Sequence, residues 1–384
     1  MAEKKEGKRV PLTEEAKKLL SGIIQDSSND VEIEYVETGN IGFDFAITNG
    51  KGLPIGSSIL FWADAGVGKT TLVGDICKRL LDKYTALDKP FKVLYIATEP
   101  SKELLKDLGL SKYFDSEDFI YVDKPMTWRT IETIYEGIFQ GFKTLKDIKL
   151  IVIDSIGNVM SDQNTKSSIA DGDYGTKAKE RANFYSKYLP VCLQKGISSF
   201  FISQVRQDQN AGLMQDNKKA AVSFADRHNV EIILKCGKKS NLTDAGKVAV
   251  QTIFGETKEQ KRYIMTLNSS ASSCKNRFFE GIPSEVLVEK GIGINNTYVM
   301  RKLLEGNKYL KKTGGWYVFD SDIAGLIGAP TGTNLRLSAV NQYLQDNIGK
   351  LVQFLKEANQ YQLKIKEENL GGEDEDFSEE GSDE

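Results

Sequence analysis

Short apolar runs punctuate the first two thirds of the chain, at 57–62, 92–97, 119–122, 149–153, 197–202 and 230–235. Between most of them the apolar residues fall at helical spacing, as Leu72, Val73 and Ile76 do after the first run. Near-continuous apolar strands separated by helices predict a mostly parallel sheet covered on both faces, because a strand buried on both sides has no polar face to show. Beyond Gly237 the pattern changes, and a hairpin of 247–254 with 261–268 is predicted, followed by a strand over 285–289. From 297 to about 369 the spacing is mainly helical, with a turn at Gly314-Gly315-Trp316-Tyr317.

At the other end Ala16, Leu19, Leu20, Ile23 and Ile24 predict a helix over 13–24 with one apolar stripe, and Val31, Ile33 and Tyr35 alternate as in a strand. One helix and one strand cannot bury such a stripe alone. They must dock on the main domain or on a neighbouring copy, which makes Leu19, Leu20 and Ile23 candidate subunit-interface residues. The division that results is an N-terminal arm (1–36), an α/β core (37–295), a small α+β C-terminal subdomain (296–370) and a tail (371–384). The net charge of −3 hides an asymmetry: the last fourteen residues carry eight carboxylates and no cation, leaving +5 on the rest. That tail is expected to be disordered, as a solubilising end, a competitor for a basic groove or a docking segment for a basic partner. Four scattered cysteines and a single histidine, His228, argue against a zinc site or a disulfide framework. An N-terminus without an apolar leader, and the lack of any run of eighteen apolar residues, lead us to expect a cytoplasmic protein with no membrane contact.

The candidate chemistry begins where the first strand ends. Ala63-Asp64-Ala65-Gly66-Val67-Gly68-Lys69-Thr70-Thr71 runs from a strand through small residues into a helix, the arrangement that cradles phosphates. Backbone N–H groups of 65–69 would wrap the β-phosphate of ATP, Lys69 would reach the β- and γ-phosphates, and Thr70 would ligate Mg²⁺. Ala63 stands where glycine is usual, which the turn absorbs if φ stays negative there. Asp154, ending the strand 149–153, is placed to hold the Mg²⁺ with Thr70. Glu99, just beyond the strand 92–97, is placed to orient or deprotonate the attacking water. Gln204 ends the strand 197–202 at the same edge, where an amide can sense the γ-phosphate. Two polar, aperiodic stretches, about 161–173 and 206–221, leave that side of the sheet, and long loops in a compact domain are usually functional. The loops are expected to bind an extended ligand, with Lys166, Arg206, Lys218 and Lys219 suited to phosphate contacts and Leu213 and Met214 to wedging between bases.

The order of these motifs resembles the RecA-type recombinases over roughly 30–295. V-E-T-G-N-I-G-F-D-F-A-I-T-N-G-K-G-L-P-I-G is similar to that family's entry motif, and F-I-S-Q-V-R to the stretch carrying its γ-phosphate-sensing glutamine. A-V-S-F-A resembles the helix after the second DNA loop, which implies a subunit-interface role for Phe224. C-K-N-R resembles the motif whose cations reach the neighbouring subunit's ATP, which implies that Lys275 and Arg277 act in trans. The G-G-W-Y segment and the acidic end resemble the phage UvsX branch and imply a virus-encoded member. The resemblance implies a RecA-type P-loop ATPase core, with ATP and Mg²⁺ as cofactors. It further implies a filament on single-stranded DNA that pairs with homologous duplex DNA, aided by a single-strand-binding protein and a mediator. Departures are Lys218-Lys219 in place of a glycine pair, and Leu104-Leu105 where an aromatic adenine stacker is common. The rivals are a recombination mediator and a helicase on the same fold; a helicase needs a larger N-terminal domain than the first 40 residues allow, and a mediator often loses the carboxylates kept here as Glu99 and Asp154.

Overall fold

The computed structural model describes residues 33–162, 174–204, 206–207, 218–219, 222–241, 250–253, 256–259, 262–271, 274–279 and 282–370. The arm helix over 13–24, Leu19, Leu20, Ile23, Lys166, Leu213, Met214 and the acidic tail lie outside the described residues.

From Tyr35 the described residues form one folded unit. Tyr35–Val36 (β1) pairs antiparallel with Leu53–Pro54 (β2), and between them lies helix Ile41–Thr48 (α1). The Asn40 side chain caps α1 by accepting from the Phe43 N–H at 3.0 Å, and Asn49 ends it in the left-handed region. Every residue of α1 is buried, the polar Asp44 and Thr48 included.

The central elements then follow: Ser58–Ala63 (β3), Lys69–Ala86 (α2), Lys92–Ala97 (β4), Phe119–Val122 (β5), Trp128–Phe139 (α3), Ile148–Asp154 (β6), Tyr174–Lys195 (α4), Ser198–Gln204 (β7), Phe224–Asn229 (α5) and Ile232–Asn241 (β8). Arg262–Asn268 (β9), Lys275–Asn276 (β10), Ser284–Glu289 (β11) and Gly293–Ile294 (β12) complete the sheet. Its order among the described residues is β12-β11-β9-β8-β3-β7-β6-β4-β5, with β10 beside β8. The strands from β8 to β5 are all parallel to their neighbours, whereas β9 to β12 join antiparallel.

Strand periodicity decides which core each side chain enters. Ile59, Phe61, Val93, Tyr95, Leu150, Val152, Phe200, Ile202, Ile232 and Leu234 enter one core, together with Leu72, Val73 and Ile76 of α2. Their neighbours Leu60, Trp62, Leu94, Ile96, Ile151, Ile153, Phe201 and Ile233 enter the other, under Ile131 and Tyr135 of α3 and Phe184, Tyr185 and Tyr188 of α4. Each fully buried aliphatic or aromatic side chain contributes about 1.5–3 kcal/mol, so the two-sided burial fixes both strand order and register.

Three predicted features differ in the structure. Of the strand read from Val31, Ile33 and Tyr35, Val31 lies outside the described residues, Ile33 is not in a strand, and Tyr35 pairs only within Tyr35–Val36. Val250–Ile253 pairs with Glu256–Glu259 across a two-residue connection, not with 261–268. β9 instead lies between β8 and β11, because its Met265 and Leu267 are apolar and reach full burial only inside the main sheet. The Gly314–Trp316 region is a hairpin, not a turn within helices: Leu310–Thr313 (β13) and Trp316–Phe319 (β14) pair across Gly314-Gly315. Around it lie Asn296–Gly306 (α6), Ser321–Ile327 (α7), Leu337–Asp346 (α8) and Ile348–Leu370 (α9). Val299 and Leu304 of α6, Val340 and Leu344 of α8, and Leu351 and Leu355 of α9 share the core that holds Phe43 and Phe61. No helix among the described residues is long and apolar enough to cross a membrane.

Candidate active site

Ala63 closes β3 with strand geometry and has no positive φ, so the residue that replaces the usual glycine carries no backbone strain. Gly66 (φ 73°) and Gly68 (φ 101°) take the left-handed conformations of the loop, which glycine alone adopts readily. A Cβ on Gly66 would meet nothing within 4 Å, so that side of the loop is open. A Cβ on Gly68 would stand 2.0 Å from the Tyr263 hydroxyl, which β9 brings over the loop. Burial lifts the Tyr263 phenol to about 12, so it stays neutral.

Lys69 opens α2 and is 5% exposed. Its Nζ donates to the carbonyls of Ala63 (3.0 Å) and Asp64 (2.8 Å). Burial pulls its pKa down, while Asp154 and Glu99 are among the neighbours that pull it up. A desolvated ammonium at a helix N-terminus, beside a glycine loop with an open face, fits a phosphate chain.

The edge carboxylates occupy two linked positions. Asp154, 2% exposed at the end of β6, accepts at Oδ2 from the Thr70 hydroxyl (2.8 Å) and from the Tyr95 hydroxyl (2.8 Å). Burial raises the Asp154 pKa, and those two hydrogen bonds oppose the rise. A hydroxyl and a carboxylate oxygen side by side at the phosphate loop are the hard donors that Mg²⁺ takes beside phosphate oxygens, so Thr70 and Asp154 fit that ion. Glu99 Oε1 accepts from Ser155 Oγ (2.8 Å), Asn158 Nδ2 (2.9 Å) and Gln204 Nε2 (2.7 Å), and Gln204 also reaches Oε2 at 2.9 Å. The ends of β4 and β7, read from the sequence as separate features, are therefore in direct contact across β6.

Phe224, Lys275 and Arg277 gather at α5. Ser223 and Asp226 form a capping box at its start. Phe224 is 78% exposed and its ring lies 4.0 Å from that of His228. Lys275 Nζ donates to the carbonyls of Arg227 (2.6 Å) and His228 (3.3 Å), and Arg277 Nη2 to that of His228 (2.7 Å). Both cations thus sit on the carbonyl end of the helix, where the dipole favours them. Burial, and next the Arg277 charge, draw the Lys275 pKa down.

Arg206–Gln207 and Lys218–Lys219 form a short antiparallel ladder, with Arg206 opposite Lys219 and Gln207 opposite Lys218, immediately after β7. Of the Leu104-Leu105 pair that stands where an aromatic adenine stacker is common, Leu105 is fully buried and packs onto Gly74 of α2, so it is unavailable for stacking on a base. Leu104 lines a cavity of about 510 Å³ beside Glu99, with Lys102, Tyr121, Met126 and Met160. Tyr95, Ser155, Asn158 and Tyr263 went unread in the sequence. A lone tyrosine in the aliphatic strand K-V-L-Y-I-A was the available signal for the first; Asn158 and Tyr263 carried none.

The AAA domain family model matches residues 48–185, from the end of α1 into α4. Protein RecA of Ectopseudomonas oleovorans is 21% identical over 304 residues, covering 78% of this chain and 77% of that protein. Protein RecA of Mycoplasma genitalium is 25% identical over 208 residues, 53% of this chain and 56% of that protein. A parallel sheet carrying a phosphate loop and an edge carboxylate pair defines a P-loop ATPase. Within that class the chain is similar to the RecA proteins, at 21–25% identity.

Proposed function

We propose that the chain is an ATP-dependent recombinase that assembles on single-stranded DNA and pairs it with homologous duplex. The observation that supports this reading most is the Glu99–Gln204 contact, because Gln204 leads directly into the Arg206 ladder. An amide that holds the water-orienting carboxylate in one state, and the γ-phosphate in another, links nucleotide state to the segment that follows β7. When bound, Mg²⁺ and ATP supply charge neutralisation and the phosphoryl group. The chain's own part is positional: Lys69 and the loop N–H groups hold the phosphates, Thr70 and Asp154 hold the cation, and Glu99 aligns water. Lys275 and Arg277 serve a neighbouring copy's nucleotide, and Phe224 packs against that copy. Lys166, Arg206, Leu213, Met214, Lys218 and Lys219 are proposed to contact DNA, and Leu19, Leu20 and Ile23 to polymerise the chain. A single-strand-binding protein and a mediator are further proposed partners.

The test joins assembly to chemistry. With ATP and single-stranded DNA, electron microscopy should show open filaments for the parent and for Glu99→Gln, while hydrolysis in that variant falls by at least about 10²-fold, the scale of a lost general base. Closed rings would favour a helicase on this fold, and turnover near the parent's would remove Glu99 from its role.

A further inference from the structure

Tyr95 is fully buried in β4, where its neighbours Val93, Leu94, Ile96 and Ala97 are apolar. A buried phenol must place its O–H on an acceptor, and this one uses the carboxylate at the candidate metal site, Asp154 Oδ2 at 2.8 Å. The oxygen that Tyr95 contacts is the one that Thr70 contacts, also at 2.8 Å. The two donors come from different elements, β4 and α2, and meet on the end of a third, β6. Tyr95 lies opposite Val152 in the β4–β6 register, so its ring reaches along the sheet to the strand end two residues on. There it is held against Phe119 and Tyr121, each with its ring centre 5.9 Å away.

We infer that Tyr95 is a positioning residue for Mg²⁺–nucleotide binding: its hydroxyl fixes the Asp154 carboxylate so that it stays aimed at Thr70. The inference rests on the reading of Thr70 and Asp154 as the pair that holds the cation. A carboxylate held by one hydroxyl can turn about its last side-chain bond, whereas donors converging from two elements leave one orientation. When the Thr70 oxygen offers a lone pair to a cation, its proton still needs an acceptor in line. Asp154, held by Tyr95, is that acceptor. Partners of this kind, one bond removed from the ion, typically change metal affinity 10–100-fold when lost.

Tyr95→Phe keeps the ring and its packing and removes the hydroxyl. The measurement is the dissociation constant of a fluorescent ADP analogue in Mg²⁺ and in EDTA, with Mn²⁺ binding followed separately by electron paramagnetic resonance. The expected result is metal-free affinity within about twofold of the parent, with metal-conferred affinity and Mn²⁺ binding each about 10-fold weaker. Adding Tyr95→Phe to Asp154→Asn should change neither reading further, because the hydroxyl acts through that carboxylate. Equal losses with and without metal would overturn the inference, since the hydroxyl would then serve the fold. So would a parent-like metal effect in Tyr95→Phe when Asp154→Asn has lost it. If Asp154→Asn itself keeps the metal effect, the reading of the Thr70–Asp154 pair falls, and the inference with it.

Discussion

Single residues in this fold carry charge where water is excluded, and Asp44 shows the cost away from the site. It lies in α1, fully buried, and accepts from the backbone N–H and the hydroxyl of Thr38. Burial outweighs those bonds and lifts its carboxyl to about 7. An unfolded aspartate titrates near 4, so between about pH 4 and 7 the folded chain holds a proton that the unfolded chain has released. Stability contributed by that proton is fully present below the lower value and is lost as pH rises through the upper one. Denaturant unfolding at pH 5 and pH 8 should therefore show the parent losing roughly 2–3 kcal/mol that Asp44→Asn does not lose. Equal pH profiles for the two chains would mean that Asp44 is ionised in the fold. Residue-level chemistry of this kind was partly legible in the sequence. The edge positions of Glu99, Asp154 and Gln204 could be read because each follows an apolar run there. The Tyr95 bond could not, because nothing in the sequence gives the register that sets β4 beside β6.

Elements were legible where burial imposes a period. The alternation of Ile59 and Phe61 with Leu60 and Trp62 sends side chains to two cores, and the parallel strands were placed to within two residues except at the end of β8, which runs six residues past the expected 235. The β13–β14 hairpin was missed because Lys311, Lys312 and Thr313 are exposed and show no alternation. The β9 register was missed because long-range pairing competes with a local ribbon, and core volume decides between them. The capping box at α5 belongs to this same scale. Asp226, with no exposed surface, accepts from the Ser223 N–H and hydroxyl and faces Arg181 of α4 at 3.3 Å. Asp226→Ala removes the box and leaves the Arg181 cation without that partner, a change that costs about 3–5 kcal/mol for a buried pair. Its melting temperature should drop well below that of Ser223→Ala, which loses only the cap at about 1 kcal/mol. Matching temperatures would show that the ion pair adds nothing to the cap.

At the scale of the molecule the question is whether one chain holds a complete site. Phe224 shows most of its ring to solvent, and the two cations beside it rest on the end of α5 rather than on the phosphate loop. A large exposed aromatic next to Lys275 and Arg277 forms a surface that a second copy can cover, and a head-to-tail contact of that kind gives an open helix where the rotation between copies does not close and a ring where it does. The two halves of such a shared site can be separated genetically. Lys69→Ala disables the phosphate loop but keeps the α5 face, whereas Lys275→Ala with Arg277→Ala keeps the loop and disables the face. Each variant alone should lose DNA-stimulated hydrolysis, and the double variant should still bind a fluorescent ADP analogue within a few-fold of the parent. In a mixture, an intact loop meets an intact face at one kind of junction, so activity should reappear and peak near equal proportions. A mixture as inactive as its components, with filaments still visible by electron microscopy, would assign Lys275 and Arg277 to capping α5 within their own chain and leave the site to one subunit.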